Sequence, residues 1–161
     1  MEYRIATQKD LNTIWDKDIK RNINDTRWVR WKKEYIEYNQ TKKAITFVAV
    51  NGTEPVGQIT LIRSNECKAV LGKPLLCNNK TIANFNAFRI DKQFEGQGHI
   101  SNLVKLAEEY AKHQGVKSIT IGCEAKETRN LAIYLHFGYT KFVMHEFEEN
   151  ELILYFKKDL K

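Results

Sequence analysis

The sequence predicts a mixed α/β (α+β) fold, with one sheet flanked by helices in a single domain of residues 1–161. Two patterns support this prediction. Before position 43, and again in two segments after position 98, apolar residues recur three and four positions apart, which is the period of an amphipathic helix. Elsewhere the apolar residues alternate or run continuously over short stretches, as they do in half-buried and interior strands.

The N-terminal segment predicts a strand and two helices. Glu2–Ala6 alternates weakly and ends at Thr7, which caps a helix with Asp10 near its positive end. The apolar face of this helix consists of Leu11, Ile14, Trp15 and Ile19. Asn24–Thr26 then interrupts the pattern and offers a new cap. A second helix follows, with an aromatic stripe formed by Trp28, Trp31, Tyr35 and Tyr38.

The middle of the chain changes period and predicts three strands. Ala44–Val50 is apolar on both faces, and the turn at Asn51–Glu54 joins it to Val56–Ile62 in a hairpin. Asn65–Asn79 has no clear period and predicts a loop or an irregular hairpin. Thr81–Ile90 alternates apolar and polar residues, which predicts a central strand whose polar side chains face a partner that the sequence does not identify.

The next segments predict a third helix, a strand and a fourth helix. Gly98–His113 has an apolar helical face and ends near Gly115, because glycine tolerates the left-handed closing conformation. Ser118–Cys123 predicts a strand, and Thr128–Phe137 predicts a helix closed by Gly138.

Two strands, Tyr139–Phe147 and Glu151–Phe156, complete the chain and join near Asn150. The predicted order is therefore β-α-α-β-β-β-α-β-α-β-β, without a linker or an internal repeat. One mixed sheet flanked by helices is the simplest architecture for this order.

The composition limits the classes of protein. Hydrophobic residues make up 42% and charged residues 29%, and no apolar run is long enough for a secretory signal or a membrane helix. The three cysteines are odd in number and fit no metal-ligand spacing, which suits a reducing compartment. We therefore expect a cytoplasmic protein with no metal and no membrane partner.

The formal net charge of +6 suits an anionic partner, such as nucleic acid or a phosphorylated small molecule. Basic residues are densest in Lys17–Lys33, where three tryptophans lie among or beside them. Asp16, Asp18 and Asp25 interrupt this positive charge, which favours two solvated helix faces over a nucleic-acid surface. We expect no nucleic-acid partner.

The segment around Gly96-Gln97-Gly98 carries the sharpest chemical signal. It lies between a predicted strand and an amphipathic helix, so free backbone N–H groups there can bind a phosphate. An ordinary tight turn is the alternative, since a lone Gly-x-Gly is a weak motif. Ser101 stands where a dinucleotide-binding loop has its third glycine, and no Gly-Lys-Ser/Thr of a Walker loop is present.

A second segment ends the fourth predicted helix. Tyr134 lies four residues before Gly138, and a strand rich in aromatic residues follows. Taken alone, such a tyrosine is more often a packed core residue.

Together the two segments resemble the signatures of the GNAT (N-acetyltransferase) superfamily. Gln93-x-x-Gly96-x-Gly98 is similar to the acyl-CoA pyrophosphate loop of that family, and Tyr134-x-x-x-Gly138 resembles its second signature at the family's distance downstream. The element order also matches, so the resemblance covers nearly the whole chain. It implies a mixed, mostly antiparallel central sheet.

The resemblance also implies a function. The protein would transfer the acetyl group of acetyl-CoA to a small-molecule or peptide amine by direct attack in a ternary complex, as a monomer or homodimer. The alternatives are a non-catalytic acyl-CoA-binding or regulatory module of the same fold, and a weaker one, a basic nucleic-acid-binding domain. Retention of Tyr134 favours the enzyme.

The cofactor residues carried over from the family lie in and around the loop. The main chain of Phe88 and Ile90 would pair with the pantetheine arm, and Asn130 is a further candidate contact. The loop residues that would hold the pyrophosphate are Glu95, Gly96, Gln97, Gly98, His99 and Ile100. The chain departs from the family at Glu95, where many members have a basic residue, at Ile100, where many have a small one, and at Glu127, where many have asparagine.

The resemblance implies that Tyr134 protonates the departing thiolate. A phenol carries its proton at neutral pH, which suits this role. Glu124, at the end of the fifth strand, is the candidate general base; a solvated strand end or a helix cap is its alternative. Trp28, Trp31, Asn84 and Asn86 are candidates to shape the acceptor pocket, although an aromatic stripe is more often core than cage.

Overall fold

The computed structural model describes residues 1–161 and contains seven strands and four α-helices in the predicted order. The elements are β1 (Glu2–Ile5), α1 (Gln8–Arg21), α2 (Arg27–Gln40), β2 (Ala44–Asn51), β3 (Glu54–Ile62), β4 (Ile82–Ile90), α3 (His99–His113), β5 (Ser118–Glu124), α4 (Thr128–His136), β6 (Lys141–Glu148) and β7 (Glu151–Asp159). Hydrogen bonds link the strands in the order β1-β2-β3-β4-β5-β7-β6. This confirms the mixed α/β fold. None of the helices combines the length and the apolar character that crossing a membrane requires.

The chain divides into two compact units. The first comprises Met1–Leu61 and Ala87–Ala107, and the second comprises Ile62–Asn86 and Glu108–Lys161. β4 and α3 each contribute residues to both units. The expectation of a single domain stays a prediction.

In the first unit, β1 pairs antiparallel with β2, from Glu2 opposite Val50 to Ile5 opposite Phe47. The N–H of Asp91 donates to the carbonyl of Val56 at 2.7 Å, so the start of β3 runs beside the end of β4. The interior residues of β2 and β3 are almost all buried, as the apolar sequence of Ala44–Val50 predicts for β2, and the buried residues include the polar Thr46, Gln58 and Thr60.

The start of α1 has the predicted cap. The N–H of Asp10 donates to Thr7 Oγ1 at 3.2 Å, and the N–H of Thr7 donates to Asp10 Oδ2 at 2.7 Å, which is a reciprocal capping box. Arg4 donates to both oxygens of the same carboxylate, at 2.5 and 3.2 Å. Burial alone would raise the pKa of Asp10, but these hydrogen bonds outweigh it and the pKa is lowered.

In the second unit, β4 pairs with β5 in parallel, and β5 and β6 both pair with β7 antiparallel. The β4–β5 register extends from Ile82 opposite Ser118 to Phe85 opposite Ile121. Pairing between these strands stops there, although β5 itself continues to Glu124.

The start of β6 and the end of β7 are among the strand boundaries that differ from the sequence prediction. β6 begins at Lys141 rather than Tyr139, because the N–H of Tyr139 still donates to Tyr134 O at 3.1 Å and so completes the end of α4. β7 runs to Asp159 rather than Phe156, because Asp159 pairs with Ser118 on β5 and accepts the hydrogen bond of its hydroxyl at 3.0 Å. Both corrections come from contacts that local periodicity does not report.

One pairing between β5 and β7 requires a glycine. A Cβ atom on Gly122 would lie 2.5 Å from Cε1 of Tyr155, because that ring packs directly on the glycine backbone. The hydroxyl of Tyr155 donates to Glu146 Oε1 at 2.5 Å, and Lys73 Nζ donates to the same oxygen at 2.8 Å. The ring is thereby fixed in place.

Candidate active site

The predicted phosphate loop lies in the first unit, between a short 3₁₀ turn at Lys92–Phe94 and the start of α3. Gly96 and Gly98 have φ angles of 72° and 84°, a region that favours glycine. Apart from Gly98 itself and its two chain neighbours, no residue has an atom within 4 Å of the position that a Cβ on Gly98 would occupy. A ligand can therefore approach the main chain of this loop closely.

The first turn of α3 supplies hydrogen-bond donors beside this open space. The N–H groups of the first residues of an α-helix have no intrahelical acceptor, and the helix dipole adds positive partial charge there. The first N–H to bond back is that of Asn102, which donates to Gly98 O at 3.2 Å. The loop and helix start therefore have the chemistry of an anion site.

The other predicted cofactor residues of the first unit lie on β4 and at the two ends of the loop. Phe88 and Ile90 are half-buried near the end of β4, after Ala87, whose φ of 49° marks an irregular backbone. Glu95 is exposed, and Ile100 is half-buried in the first turn of α3.

The second unit contains a cleft of about 370 Å³ beside the end of β5. The residues that line it are Gly122, Cys123, Glu124, Glu127, Asn130 and Tyr134. The structure therefore brings together three residues that the sequence singled out separately, Glu124, Asn130 and Tyr134. Asn130 and Tyr134 lie one turn apart on α4.

Two ionisable side chains that line this cleft, Tyr134 and Cys123, have raised pKa values. Burial raises the pKa of the Tyr134 phenol, and the neighbouring Cys123 adds to the effect. Burial, with contributions from Glu127 and Glu124, raises the pKa of the Cys123 thiol to about 11. Both groups are therefore neutral at physiological pH, and Cys123 is not a thiolate nucleophile.

Glu124, the candidate base, is accessible. Its side chain is 40% exposed. Lys126 Nζ lies 3.7 Å from Glu124 Oε2, but the same ammonium makes a closer contact of 2.6 Å with Glu151 Oε1. The Glu124 carboxylate therefore keeps room for another partner.

The tryptophans proposed for the acceptor pocket belong to an aromatic cluster of α1 and α2 in the first unit. The Trp28 ring centre lies 6.2 Å from that of Trp15 and 5.1 Å from that of Trp31. The guanidinium carbon of Arg89 lies 4.4 Å from the Trp15 centre and 5.2 Å from the Trp28 centre. Arg27 covers Trp31 at 5.2 Å. The protein's own cations thus already contact these rings.

The asparagines proposed for the acceptor pocket lie on β4 in the second unit. Asn84 is buried, and its Nδ2 donates to Thr120 Oγ1 at 3.0 Å, across the parallel pairing. Its Oδ1 has no hydrogen-bond partner in the protein. Asn86 is half-buried.

An ion-pair network in the first unit escaped the sequence prediction. Arg89 Nε donates to Asp18 Oδ2 at 2.5 Å, and Lys17 and Arg21 hold the buried Asp91 at 2.7 and 3.0 Å. Asp91 directly precedes the 3₁₀ turn, so α1 is anchored to the segment that leads into the phosphate loop. The available signal was an arginine between two apolar residues at the end of the strand, Phe88-Arg89-Ile90.

Comparison with known proteins identifies the fold and the family. The model of the acetyltransferase (GNAT) family matches residues 11–139. No curated protein matches the sequence significantly.

Several solved structures are similar over nearly their whole length. An aminoglycoside 6'-N-acetyltransferase complexed with coenzyme A has 15% identity and a TM-score of 0.73, with 100% of this chain and 98% of the other covered. A ribosomal-protein-alanine N-acetyltransferase from Brucella melitensis has 16% identity and a TM-score of 0.71, covering 99% and 100%. A spermidine N-acetyltransferase from Vibrio cholerae has 16% identity and a TM-score of 0.69, covering 99% and 95%. At these identities the likeness shows a shared fold, and the three names carry three different acceptors.

Proposed function

This chain belongs to the acetyltransferase (GNAT) family, and we propose that it is a cytoplasmic N-acetyltransferase that moves the acetyl group of acetyl-CoA to a primary amine. The observation that carries the proposal is the loop at Gly96–Gly98. It combines two glycines in the left-handed region, open space beside the second glycine, and the donor groups of the α3 start. These features fit a pyrophosphate.

The cofactor would be held mainly by the main chain. The N–H groups from Glu95 to Ile100 would bind the pyrophosphate, and Phe88 and Ile90 would pair with the pantetheine arm. Asn130 would add a side-chain contact. A solved structure of the same fold contains coenzyme A, which supports CoA as the kind of cofactor. These donors belong to the main chain and are present whatever the side chain is, so the acidic side chain of Glu95 does not remove them.

In the proposed reaction, the amine nitrogen attacks the carbonyl carbon of the thioester directly, and the carbon–sulfur bond then breaks. Glu124 accepts the proton that the amine loses, and Tyr134 donates a hydrogen bond or its proton to the departing thiolate. The exposed carboxylate of Glu124 and the neutral phenol of Tyr134 support these roles. The raised pKa of Cys123 supports direct transfer over an acyl-enzyme.

The acceptor pocket would involve Trp28, Trp31, Asn84 and Asn86. Arg89 and Arg27 contact the tryptophan rings, so an ammonium cage is not available there without displacing them. Asn84 Oδ1 has no partner within the protein, but the residue is only 2% exposed, so an amine would have to displace neighbouring side chains to reach it.

The test is a thiol-release assay with acetyl-CoA over a panel of amines, including aminoglycosides, polyamines, and peptides with free N-termini. Release of CoA that depends on one amine class, with an acetylated product of the expected mass, supports the enzyme. Calorimetric binding of acetyl-CoA without turnover on any amine would instead indicate a non-catalytic acyl-CoA-binding module. Absence of CoA binding would refute both.

A further inference from the structure

A run of four hydrogen bonds links β1 to the phosphate loop within the first unit. Asn102 Nδ2 donates to Tyr3 Oη at 3.0 Å, and Tyr3 Oη lies 2.7 Å from His99 Nδ1. His99 Nε2 lies 3.3 Å from Gln97 Oε1, and Gln97 Nε2 donates to the carbonyl of Gln93 at 3.1 Å. The run thus begins one turn into α3 and ends in the 3₁₀ turn before the loop.

The donors and acceptors in this run have a consistent direction. The Tyr3 hydroxyl accepts from Asn102 and has a single proton, which it can give to His99 Nδ1. A neutral His99 then carries its proton on Nε2, facing Gln97 Oε1. This leaves the Gln97 amide nitrogen as the donor to the carbonyl of Gln93, as observed. Every partner is used in the role that its neighbour requires.

The run acts on the part of the loop that contains the two glycines. Gln97 lies between Gly96 and Gly98, and glycine loses more backbone freedom on ordering than any other residue. A loop that must be ordered when the ligand arrives binds more weakly than one that is ordered beforehand. Gln97 and His99 fix both sides of Gly98, and the edge of Phe94 packs against the His99 ring with centres 6.1 Å apart.

We propose that Tyr3 is a positioning residue for the acyl-CoA loop. Its hydroxyl holds His99 in the Nε2-protonated form, and His99 holds Gln97 so that the two glycines keep the conformation that accepts the pyrophosphate. Tyr3 acts through His99 and does not contact the ligand. This inference rests on the proposed function, because it assigns the loop to the phosphates of acetyl-CoA.

The test compares wild type with Tyr3→Phe, which removes only the hydroxyl. We expect CoA to bind about fivefold more weakly, as for one lost hydrogen bond, with kcat at saturating acetyl-CoA unchanged. The ¹⁵N shifts of the His99 imidazole in the ligand-free protein should show an Nε2–H tautomer in wild type and a mixture in the variant. His99→Phe should weaken CoA binding similarly, and the double variant should bind no more weakly than either single one.

Two further variants keep the result decisive. Gln97→Ala alters an exposed side chain, so it should keep the fold and still weaken CoA binding. Tyr139→Phe is the matched control, because it loses a phenol hydrogen bond of 2.9 Å to Glu108 outside this run and should leave CoA affinity unchanged.

An unchanged CoA dissociation constant in Tyr3→Phe, or an unchanged tautomer, overturns the inference and leaves the proposed function intact as long as wild type binds CoA. Failure of wild type to bind CoA overturns both. Additive losses in the double variant would show that Tyr3 does not act through His99, and would also overturn the inference.

Discussion

The phenol of Tyr134 and the thiol of Cys123 line the same cleft, and burial makes each hold its proton more tightly than it does in water. A neutral phenol can donate to an anion that forms beside it. A neutral thiol is a poor nucleophile. Tyr134 therefore suits the role of proton donor, whereas Cys123 suits no role as a nucleophile.

Tyr134→Phe should lower kcat by roughly 100-fold with little change in the KM for acetyl-CoA, because it removes an interaction made mainly in the transition state. The low end of the usual range is expected, since the raised pKa of this phenol makes full proton transfer to a thiolate less favourable. Steady-state kinetics with the amine identified by the screen measures the effect, and the melting temperature controls for folding. Full kcat in the variant would remove Tyr134 from the mechanism.

Cys123→Ala should keep kcat within about twofold of wild type, because direct transfer needs no thiolate. With a pKa of about 11, the thiol stays protonated as the pH rises through 8 and ionises only toward 11. Alkylation of Cys123 by iodoacetamide, followed by mass spectrometry, should therefore be slow at pH 8 and accelerate steeply above pH 10. An acetylated Cys123 trapped during turnover would contradict this prediction.

Gly98→Ala should abolish the rise in melting temperature that CoA produces, because the new methyl group enters the space that the phosphate needs. Gly52→Ala is a matched control in the β2–β3 turn, since its φ is 65° and its Cβ position is equally open. A side chain in the left-handed region costs roughly 1–2 kcal/mol, so both variants should lose similar stability. An equal CoA-induced shift in the two variants would show that the loop is not the phosphate site.

Arg89→Met should destabilise the protein by roughly 3 kcal/mol in urea denaturation, because it leaves the buried Asp18 carboxylate without its closest partner. The paired change Arg89→Met with Asp18→Asn should recover part of this loss, since no buried charge is then left unpaired. If the double variant is less stable than the single one, the ion pair is not the source of the effect.

Asp10→Asn should lower stability at pH 7 by roughly 1.5–3 kcal/mol, because it removes the charge that strengthens the hydrogen bonds Asp10 accepts from Arg4 and from the Thr7 N–H. The folded-state pKa of Asp10 is lowered, so its contribution is fully present above the unfolded value of about 3.9 and disappears as the pH falls through the folded value. The difference between wild type and variant should therefore shrink below about pH 4. A difference that is constant from pH 7 to pH 2 would assign the loss to packing.

The sequence predicted what local patterns encode. The Thr7–Asp10 cap and the glycine that ends α4 lie within a few residues of the backbone groups they serve. Arg89 and Asp18 are 71 positions apart, and their pairing depends on how β4 meets α1, which no local period reports. The same holds for Tyr3 and His99, 96 positions apart.

In the candidate site, too, the sequence predicted local motifs but not the contacts between distant residues. The glycine loop and the Tyr134 signature could be recognised because each is a compact motif at fixed spacing. Asn84 was recognised as a polar position of an alternating strand, but its hydrogen bond to Thr120 depends on the parallel register of β4 and β5. Polarity in a strand therefore predicts a partner without identifying which one.

The packing of Tyr155 on Gly122 has a consequence for related sequences. Because the ring fills the space that a side chain at 122 would need, the two positions cannot vary independently. A relative with alanine or a larger residue at the position of Gly122 should carry a small residue at the position of Tyr155. Such a relative would also lose the hydroxyl that donates to Glu146, leaving Lys73 as the partner of that carboxylate. We therefore expect the residues at positions 122 and 155 to change together among close sequence relatives.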